Sequence, residues 1–414
     1  YLVRWMHQAV LLKRKRSILF LSIGLNVGLL AFFKYTNFFI ENMNSAFASI
    51  GVSEVGWTEI ALPIGISFYT FQTLTYSIDV YRGTNKPLDG LHTYLLYILS
   101  FPQLIAGPIV RFGLVAEQLV NRPDTIDDKL YGFYRFCIGL AKKVLIANVL
   151  GRQADFFLEL PAAELSTTAA WLGMLCFTFQ IYFDFAGYSD MAIGLGRMMG
   201  FTFPENFNNP YNARSISEFW QRWHITLGQW MRDYLYIPLG GNRVKNSRLY
   251  TNLLIVFVIS GLWHGDSWNF VLWGLFHGTF LVLDRLFLEK LLLRMGKIPS
   301  VLITFFIVVI GWTIFSIEDD MTHVYAFLGR MFAFDFSGIS SVISSETIAI
   351  LALAVFISFS CTARFGKLLQ SFIYSDNLTA RRSVGITVVS ALLFIVCAGY
   401  VSASDFNPFI YFRF

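Results

Sequence analysis

The chain has 414 residues, of which 55% are hydrophobic and only 14% are charged. Soluble globular proteins carry roughly 25% charged residues, so the composition excludes an ordinary soluble enzyme and predicts an all-α, polytopic membrane protein. The net charge of +5 is small, and the basic residues do not alternate with aromatic ones as they do in nucleic-acid-binding surfaces. We therefore expect membrane lipid, and no nucleic acid, around this protein.

Apolar runs that could cross a bilayer recur along the chain. A span takes about 20 mainly apolar residues, and cytoplasmic loops are enriched in Lys and Arg. The basic clusters at 13–16, 243–248 and 290–297 therefore predict the cytoplasmic side, and the loops at 40–56 and 317–320 predict the outer side. The predicted transmembrane and re-entrant segments, about ten, are 17–39, 57–80, 93–110, 131–150, 168–184, 187–200, 251–287, 300–317, 345–362 and 384–403.

The segment around 101–111 does not have the pattern of a simple span. It contains Pro102, Gly107 and Pro108, and proline breaks or kinks a helix. Such a break is tolerated at membrane depth only where it is buried in protein or lines a cavity. A broken or re-entrant segment is therefore expected here.

The run 251–287 is also unusual, because both of its ends carry basic residues. Its 37 residues are too few for two full crossings, so it predicts a bent, re-entrant pair of helices. His264 would lie near the apex, about 20 Å from residue 251 along a helix.

The least hydrophobic stretch, 201–250, carries large apolar residues at helical spacing. These residues are Ile216, Trp220, Trp223, Leu227, Trp230 and Tyr234. They predict one amphipathic helix at the membrane interface. Ser215 or Ser217 would cap its start, and Pro238 would end it.

Polar side chains recur within the apolar stretch 180–201. They are Gln180, Asp184, Ser189, Asp190 and Arg197. An ionisable group at the bilayer centre costs roughly 2.5–3.5 kcal/mol, so these groups should face the protein interior. Two interpretations stay open, a buried polar network that holds helices together and the wall of a cavity. The glycines of "GLGRMMG" do not have the spacing of a dinucleotide-binding motif.

His264 lies in "ISGLWHGDSWNF", within otherwise apolar chain. An isolated histidine on an apolar helix is more often a core residue than a catalyst. Here Gly261 and Gly265 allow close backbone approach and unusual dihedral angles. Trp263 and Asp266 crowd the same turns, and imidazole is the usual general base near neutral pH. The catalytic and the structural interpretation are both open at this point.

Other candidate groups are less informative. His224 follows the tryptophan-rich stretch, where an interfacial hydrogen-bonding role is as good an interpretation as a functional one, and packing is favoured for His277. The four cysteines have no zinc or redox spacing and are expected to be free thiols. The sequence has no HExxH, P-loop, GxSxG or HxxxxD motif, so a histidine enzyme of this sequence would act without a visible serine or metal partner. No metal site is predicted.

Six blocks of the sequence resemble the bacterial membrane-bound O-acyltransferase (MBOAT) family, and within it the alginate O-acetyltransferase branch. The blocks are "LPIGISFYTFQTLTYSIDVYRG" (62–83), "FPQLIAGPIVRF" (101–112), "QIYFDFAGYSDMAIGLGRMMGF" (180–201), "ENFNNPYNARSISEFWQRWHITLGQWMRDYLYIPLGGNR" (205–243), "GLWHG" (261–265) and "NPFIYFRF" (407–414). Together they extend from about residue 57 to the end and are specific, although "WHG" alone is a weak signal.

The resemblance implies one integral-membrane acyltransferase domain, 1–414, with helices around a central funnel or tunnel. Family members usually carry further N-terminal helices, so the chain is expected to lack some of them. His264, in "WHG", would be the catalytic histidine, and His224, in "RWHITL", would lie on the cytoplasmic side of the tunnel. The expected substrate-binding or tunnel-lining residues are Gln180, Asp184, Ser189, Arg222, Trp223, Asp233, Trp263 and Asp266.

The function that the resemblance implies is acetyl transfer in the bacterial inner membrane. Acetyl-CoA is the expected cytoplasmic donor, and the acceptor would be a hydroxyl, for O-acetylation of an extracytoplasmic polysaccharide such as alginate. An extracytoplasmic acetyltransferase partner would complete the transfer. The alternatives are D-alanyl transfer to teichoic acid and a non-enzymatic polysaccharide or lipid transporter.

Overall fold

The computed structural model describes residues 1–317, 320–336 and 343–404, so the predicted loop at 317–320 lies partly, and "NPFIYFRF" wholly, outside the described residues. Within those ranges the regular structure is helical and contains no strand. The all-α prediction is confirmed. The helices form two compact units, one made of Tyr1–Pro123 with Gly200–Phe203 and the other of Asp124–Met199 with Pro204–Phe414.

The first unit contains a long helix against which a shorter one packs. Its helices are α1 (Leu2–Gln8), α2 (Leu12–Ser49), α3 (Ile66–Arg82), α4 (Leu91–Ile98), α5 (Phe101–Leu104) and α6 (Phe112–Val115). The 38 residues of α2 extend about 57 Å, so the predicted outer loop at 40–56 is wrong over most of its length. The hydroxyls of Ser22 and Ser77 lie 3.0 Å apart between α2 and α3. The short α5 confirms the predicted helix break at Pro102.

The second unit contains the remaining helices. They are α7 (Ile126–Ala141), a π-helical turn (Lys142–Ala147), α8 (Asn148–Leu158), α9 (Thr167–Met198), a 3-10 turn (Pro210–Asn212), α10 (Ile216–Arg222), α11 (Ile225–Met231), a π-helical turn (Arg232–Tyr236), α12 (Asn246–His264), α13 (Trp268–Leu283), a π-helical turn (Asp284–Leu288), α14 (Glu289–Arg294), α15 (Lys297–Ser316), α16 (Met321–Met331), α17 (Ser345–Ser360), α18 (Arg364–Ile373) and α19 (Ala380–Ala403).

Helix α9 is one continuous helix of 32 residues, and its predicted division into segments 168–184 and 187–200 is wrong. The helix continues through residues 185–187, where the division was predicted. A Cβ atom at Gly187 would press on the backbone of Gly139 in α7, and one at Gly194 would press on Gly132. These glycines let α7 and α9 approach closely, as small residues do between membrane helices.

A buried network of charged side chains joins α7, α9 and the chain after α9. Arg135 donates to Asp190 at 2.6 and 2.9 Å and to Glu205 at 2.7 and 2.9 Å. Lys142 donates to the second oxygen of Asp190 at 2.6 Å. The guanidinium of Arg135 also lies 4.5 Å from the ring centroid of Tyr374. Asp190 and Arg135 are buried, whereas the Glu205 side chain is 57% exposed at the edge of the network. The paired, buried carboxylate of Asp190 favours the polar-network interpretation for this residue.

Helices α12 and α13 form an antiparallel hairpin whose turn is residues 265–267. The bend at "GLWHGD" agrees with the prediction, but the hairpin begins at Asn246 and its second arm continues to Arg294. The 19 residues of α12 extend about 28 Å, but α12 is not one of the candidate membrane spans among the described helices. The re-entrant form of the pair therefore stays a prediction. The depth of His264 in the bilayer stays a prediction.

The predicted single amphipathic helix is two short helices, α10 and α11, separated at Trp223 and His224. His224 has a φ of 43°, in the left-handed region, which no continuous α-helix contains. Ser215 caps α10 by accepting a hydrogen bond from the backbone of Glu218, as one of the two predicted caps. The helical spacing of the large apolar residues thus holds within each short helix, for Ile216 and Trp220 on α10 and for Leu227 and Trp230 on α11, but not across the break.

Five described helices are long and apolar enough to cross a membrane. They are Leu12–Ser49, Thr167–Met198, Trp268–Arg294, Lys297–Ser316 and Ala380–Ala403. A sixth span results if α17 and α18, which are bent by 97°, are counted together. The predicted number of about ten is not confirmed, because apolar composition does not reveal that segments such as 93–110 are interrupted.

The buried charge network leads to a prediction about stability. Asp190→Asn leaves Arg135 with Glu205 and takes from Lys142 the carboxylate with which it pairs, and breaking such a buried pair costs about 3–5 kcal/mol. We expect a large drop in the unfolding temperature of the purified protein in detergent. The control is Asp124→Asn in the exposed Lys129–Asp124 pair, whose side chains are 53% and 74% exposed and whose loss should cost less than about 1 kcal/mol. Equal drops for both variants would contradict the structural role of the network.

The hairpin leads to a prediction about topology. Asn246→Cys and Met295→Cys place thiols at exposed positions beside its two ends, and an antiparallel hairpin returns the chain to the side on which it started. In intact cells both thiols should resist a membrane-impermeant maleimide, and both should react after the membrane is permeabilised. Reaction of either thiol in intact cells would place that end outside and contradict the prediction.

Candidate active site

His264 is the last residue of α12 and is half-buried. Three aromatic rings surround its imidazole, with centroid distances of 4.8 Å to Trp263, 5.1 Å to Trp273 and 5.4 Å to Phe315. All three contacts are edge-to-face, a favourable arrangement for aromatic rings. These rings exclude water from the sides that they cover, so a reactant can approach the imidazole only from its remaining, accessible side.

The glycines beside His264 are required for space. A Cβ atom at Gly265 would overlap the ring of Phe270, and one at Gly261 would overlap the carbonyl of the same residue. The predicted close backbone approach is confirmed. The predicted unusual dihedral angles are wrong, because Gly265 has an extended φ of −154° that any residue can adopt. The close approach of α13 to α12 brings Trp273 against His264.

His224 lies at the break between α10 and α11 and is 2% exposed. Its Nδ1 is 3.1 Å from Oδ1 of Asn206. The same oxygen accepts hydrogen bonds from the backbone N–H of Thr226 at 3.2 Å and from its hydroxyl at 2.9 Å. Because a backbone N–H can only donate, the Asn206 atom at this point is the oxygen, and Nδ1 of His224 must carry its proton.

The remaining nitrogen of His224 is therefore an acceptor. Burial lowers the pKa of His224 to about 3, so the ring is neutral at physiological pH and its Nε2 carries a lone pair. That atom is buried without a hydrogen-bond partner among the described residues. An N–H or O–H group of a bound molecule would satisfy it.

The two histidines flank one indole. The Trp263 ring is 4.8 Å from His264 and 6.3 Å from His224 between centroids. His277 instead lies within the aromatic packing, where its Nδ1 accepts a hydrogen bond from the indole of Trp220 at 3.4 Å. His277 is fully buried, in agreement with the predicted packing role. His264 shares the Trp273 indole with His277, at 5.1 Å to each ring, as it shares the Trp263 indole with His224. Of these two neighbours, His224 lines a pocket and His277 does not line it.

A pocket of about 360 Å³ is lined by His224 but not by His264. Its wall is largely apolar and includes Trp220 and His224 from the region of α10 and α11. Ser260, one helical turn before His264 on α12, also lines it, and Arg232 and Arg285 contribute positive charge. The volume is within the range of small-molecule sites, roughly 300–1,000 Å³. The pocket therefore reaches to within one turn of the proposed catalytic histidine.

Three of the predicted tunnel-lining residues lie inside the helices of the second unit. Asp184 is 1% exposed and pairs with Lys143 at 2.6 Å. Gln180 is buried, and Ser189 accepts a hydrogen bond from Asn206 at 3.2 Å. None of these three predicted residues lines the pocket beside His224. Through its contact with Asn206, Ser189 supports the residue that holds His224.

The other predicted residues have varied positions. Arg222 pairs with Glu218 at 2.7 Å, and Trp223 is 3% exposed in the aromatic packing. Asp233 pairs with the preceding arginine at 2.7 Å. Asp266 is exposed in the turn that follows His264. Only Trp263, among the predicted lining residues, contacts His264 in the ring contacts of the described residues.

Three residues of this region were missed by the sequence reasoning: Asn206, Ser260 and Arg285. Ser260 lies four residues before His264, so helical spacing could have identified it. Asn206 is one of four asparagines in "ENFNNPYN", and nothing in their spacing distinguishes it. Arg285 had the appearance of a cytoplasmic flanking charge.

Among the described residues no group of three or more His, Cys, Asp or Glu side chains is placed to hold a metal ion. The four cysteines are free, as predicted.

Residues 86–318 match the MBOAT, membrane-bound O-acyltransferase, family. A probable alginate O-acetylase of Pseudomonas putida is 40% identical over 96% of this chain and 84% of its own length. A probable alginate O-acetylase of Pseudomonas aeruginosa is 46% identical over 73% of this chain and 58% of its own length. A peptidoglycan O-acetyltransferase of Helicobacter pylori is 40% identical over 74% of this chain and 63% of its own length.

The family match covers more than half of the chain and includes both His224 and His264. The relatives align with it at 40% identity or more over most of its length. With its helical architecture and several candidate membrane spans, the chain belongs to the membrane-bound O-acyltransferase family and is a multi-pass membrane enzyme.

Proposed function

We propose that this protein transfers an acetyl group from cytoplasmic acetyl-CoA to a hydroxyl acceptor, for O-acetylation of an extracytoplasmic polysaccharide such as alginate. It would do so in the bacterial inner membrane, with an extracytoplasmic acetyltransferase partner that completes the transfer. The names of its relatives support acetyl as the group and a polysaccharide as the acceptor. The observation that carries the proposal is the His264–Trp263–His224 arrangement beside a pocket in a member of this family.

In the proposed reaction His264 acts as the general base. Its imidazole takes the proton of the acceptor hydroxyl, and the oxygen attacks the thioester carbonyl. The new C–O bond forms as the C–S bond breaks, and the departing thiolate takes the proton from the imidazolium. General base catalysis typically contributes 10²–10⁴-fold. The ring contacts around His264 support this role because they hold the imidazole in one orientation.

The pocket beside His224 would hold the arm of the donor. Its apolar wall suits a thioester chain, and the unpartnered Nε2 of His224 suits an amide N–H of that chain. The guanidinium groups of Arg232 and Arg285 would attract the donor's phosphates. Ser260 marks the end of the pocket that lies one helical turn from His264.

The proposed function is tested with purified protein, radiolabelled acetyl-CoA and a polysaccharide or hydroxyl acceptor. Transfer or slow hydrolysis of the label supports acetyl-CoA as the donor. Activity only with a D-alanyl carrier protein would favour the alternative function, D-alanyl transfer to teichoic acid. Consumption of neither donor, from protein shown to be folded, would contradict the donor assignment.

The first prediction here concerns His264. His264→Gln removes the base and keeps a polar side chain of similar length, so acetyl transfer should fall by about 10²-fold or more without loss of the folded protein. The measurements are acetylated product per mole of monodisperse protein and the unfolding temperature.

The matched control is His277→Gln, because His277 also contacts Trp273, at 5.1 Å between ring centroids. Its variant should lose stability but retain activity per folded molecule within a few-fold of the original. Wild-type activity in His264→Gln would remove the catalytic assignment. A variant that does not fold would instead favour a structural role for this histidine.

The second prediction concerns Asn206 as a positioning residue. Asn206→Leu removes the acceptor for His224 and Thr226 and leaves their buried donors unpaired, a cost of about 1–3 kcal/mol for each group. We expect a lower unfolding temperature and a raised KM for the donor, because the Nε2 of His224 moves from its place in the pocket. Asn206→Asp keeps an acceptor oxygen and should restore most of the donor KM. A fall in kcat alone, with KM unchanged in both variants, would contradict the positioning role.

A further inference from the structure

A second pocket, of about 480 Å³, lies on the opposite side of α10 from the pocket of His224. Its lining includes four cationic side chains and one carboxylate. The cations are Arg214, Arg222, Lys297 and Lys367, and the carboxylate is Glu218. Ser217, Trp220 and Gln221 of the same helix face the first pocket. The two pockets share no lining residue and are therefore separate.

The carboxylate does not neutralise this pocket. Glu218 pairs with both Arg222, at 2.7 Å, and Arg214, at 3.3 Å. Burial alone would raise the pKa of Glu218, but hydrogen bonds and charges from the two arginines outweigh it and lower the pKa. One ionised carboxylate thus offsets one of two guanidinium charges, and the second remains.

The two lysines add to this excess. Lys297 donates a hydrogen bond to the backbone oxygen of Thr362, which involves no opposite charge. Lys367 makes no ion pair within the described part of the chain. The pocket therefore has a net charge of about +3, and the amides of Asn208 and Gln370 also line it. Cations in a concave site with amide donors are typical of a phosphate-binding site.

The second pocket lies where α15 begins and α17 ends. Lys297 is the first residue of α15, a candidate span of 20 residues. Helix α17 ends at Ser360, immediately before the lining residue Cys361, and the chain then bends by 97° into α18. The 20 residues of α15 extend about 30 Å, the thickness of the hydrocarbon core. The start of α15 at Lys297 is therefore expected at the membrane surface.

Helix α18 has the character of a helix that lies in that surface. Phe365, Leu368 and Phe372 are 69%, 60% and 67% exposed, whereas Lys367 and Gln370 line the pocket. An amphipathic helix of this kind places its apolar face among lipid chains and its basic face at the headgroups. Lipid chains therefore lie next to a pocket of positive charge.

We propose that this pocket binds the phosphate group of an anionic phospholipid at the membrane surface. Lys297, Lys367 and the guanidinium groups would hold the phosphate, and the apolar face of α18 would contact the acyl chains. The proposal does not depend on acetyl transfer. The phosphates of a soluble nucleotide such as coenzyme A share this chemistry, so the experiment includes both sources.

The experiment measures ligand-dependent shifts of the unfolding temperature of the full chain in a neutral detergent. The ligands are dioctanoyl phosphatidylglycerol, dioctanoyl phosphatidylcholine and coenzyme A. The test variant is Lys297→Gln with Lys367→Gln, and the single Lys367→Gln variant guards against local loosening at the start of α15. The matched control is Lys290→Gln with Arg294→Gln. It removes two exposed cations that lie just before Lys297 in the sequence and do not line the pocket.

We expect phosphatidylglycerol to raise the unfolding temperature more than phosphatidylcholine does. Its apparent Kd should rise about tenfold or more in the test variant, by loss of charge-assisted hydrogen bonds, and stay unchanged in the control. A different result is that only coenzyme A shifts the unfolding temperature and that this shift is lost in the test variant. The pocket would then bind the phosphate of a nucleotide and not that of a lipid. Two results would overturn the proposal. The first is that both lipids shift the unfolding temperature equally and coenzyme A does not shift it. The second is that phosphatidylglycerol binding weakens equally in the test and control variants.

Discussion

One side-chain oxygen, Oδ1 of Asn206, holds the break on which the candidate site depends. It accepts three hydrogen bonds, from His224 and from two groups of Thr226, while the backbone oxygen of Asn206 accepts one from Ile225. A non-glycine residue in the left-handed region costs of order 1–3 kcal/mol, and these bonds offset that cost at His224. At the other end of α10, a carboxylate oxygen of Asp284 accepts the backbone N–H of Ser217 at 2.8 Å. With both ends held, α10 separates the two pockets.

Much of the architecture could be predicted because it depends on composition and local chemistry. The all-α class, the break at Pro102, the hairpin bend near His264 and the cap at Ser215 each follow from residues a few positions apart. His264 itself could be identified because a histidine in an apolar helix beside two glycines is conspicuous. His277 has glycines at the same two spacings, Gly274 and Gly278, so the glycines alone do not distinguish the two histidines. The packing role of His277 becomes clear only from its complete burial in the structure.

The remaining features depend on contacts between distant residues. Helical spacing continues through Trp223 and His224 without interruption, and only the bonds from Asn206, 18 residues before His224, show that the helix ends there. Gly187 has the appearance of a helix break until the backbone of Gly139 is seen against it. The partner of Asp184, Lys143, lies in the π-helical turn before α8, 41 positions earlier in the chain, and no local pattern joins the two.

The close packing of α12 on α13 also limits how this site can change. At Gly261, Gly265 and Gly274 the facing atoms belong to backbone or to a fixed phenylalanine ring, so no side-chain movement can accommodate even a methyl group. The wall behind His264 is therefore of fixed width. The opposite wall of the pocket is made by exposed or half-buried side chains such as Ser217 and Gln221. Engineering for a longer acyl group would have to enlarge the pocket from the α10 side, leaving the histidine and its hairpin untouched.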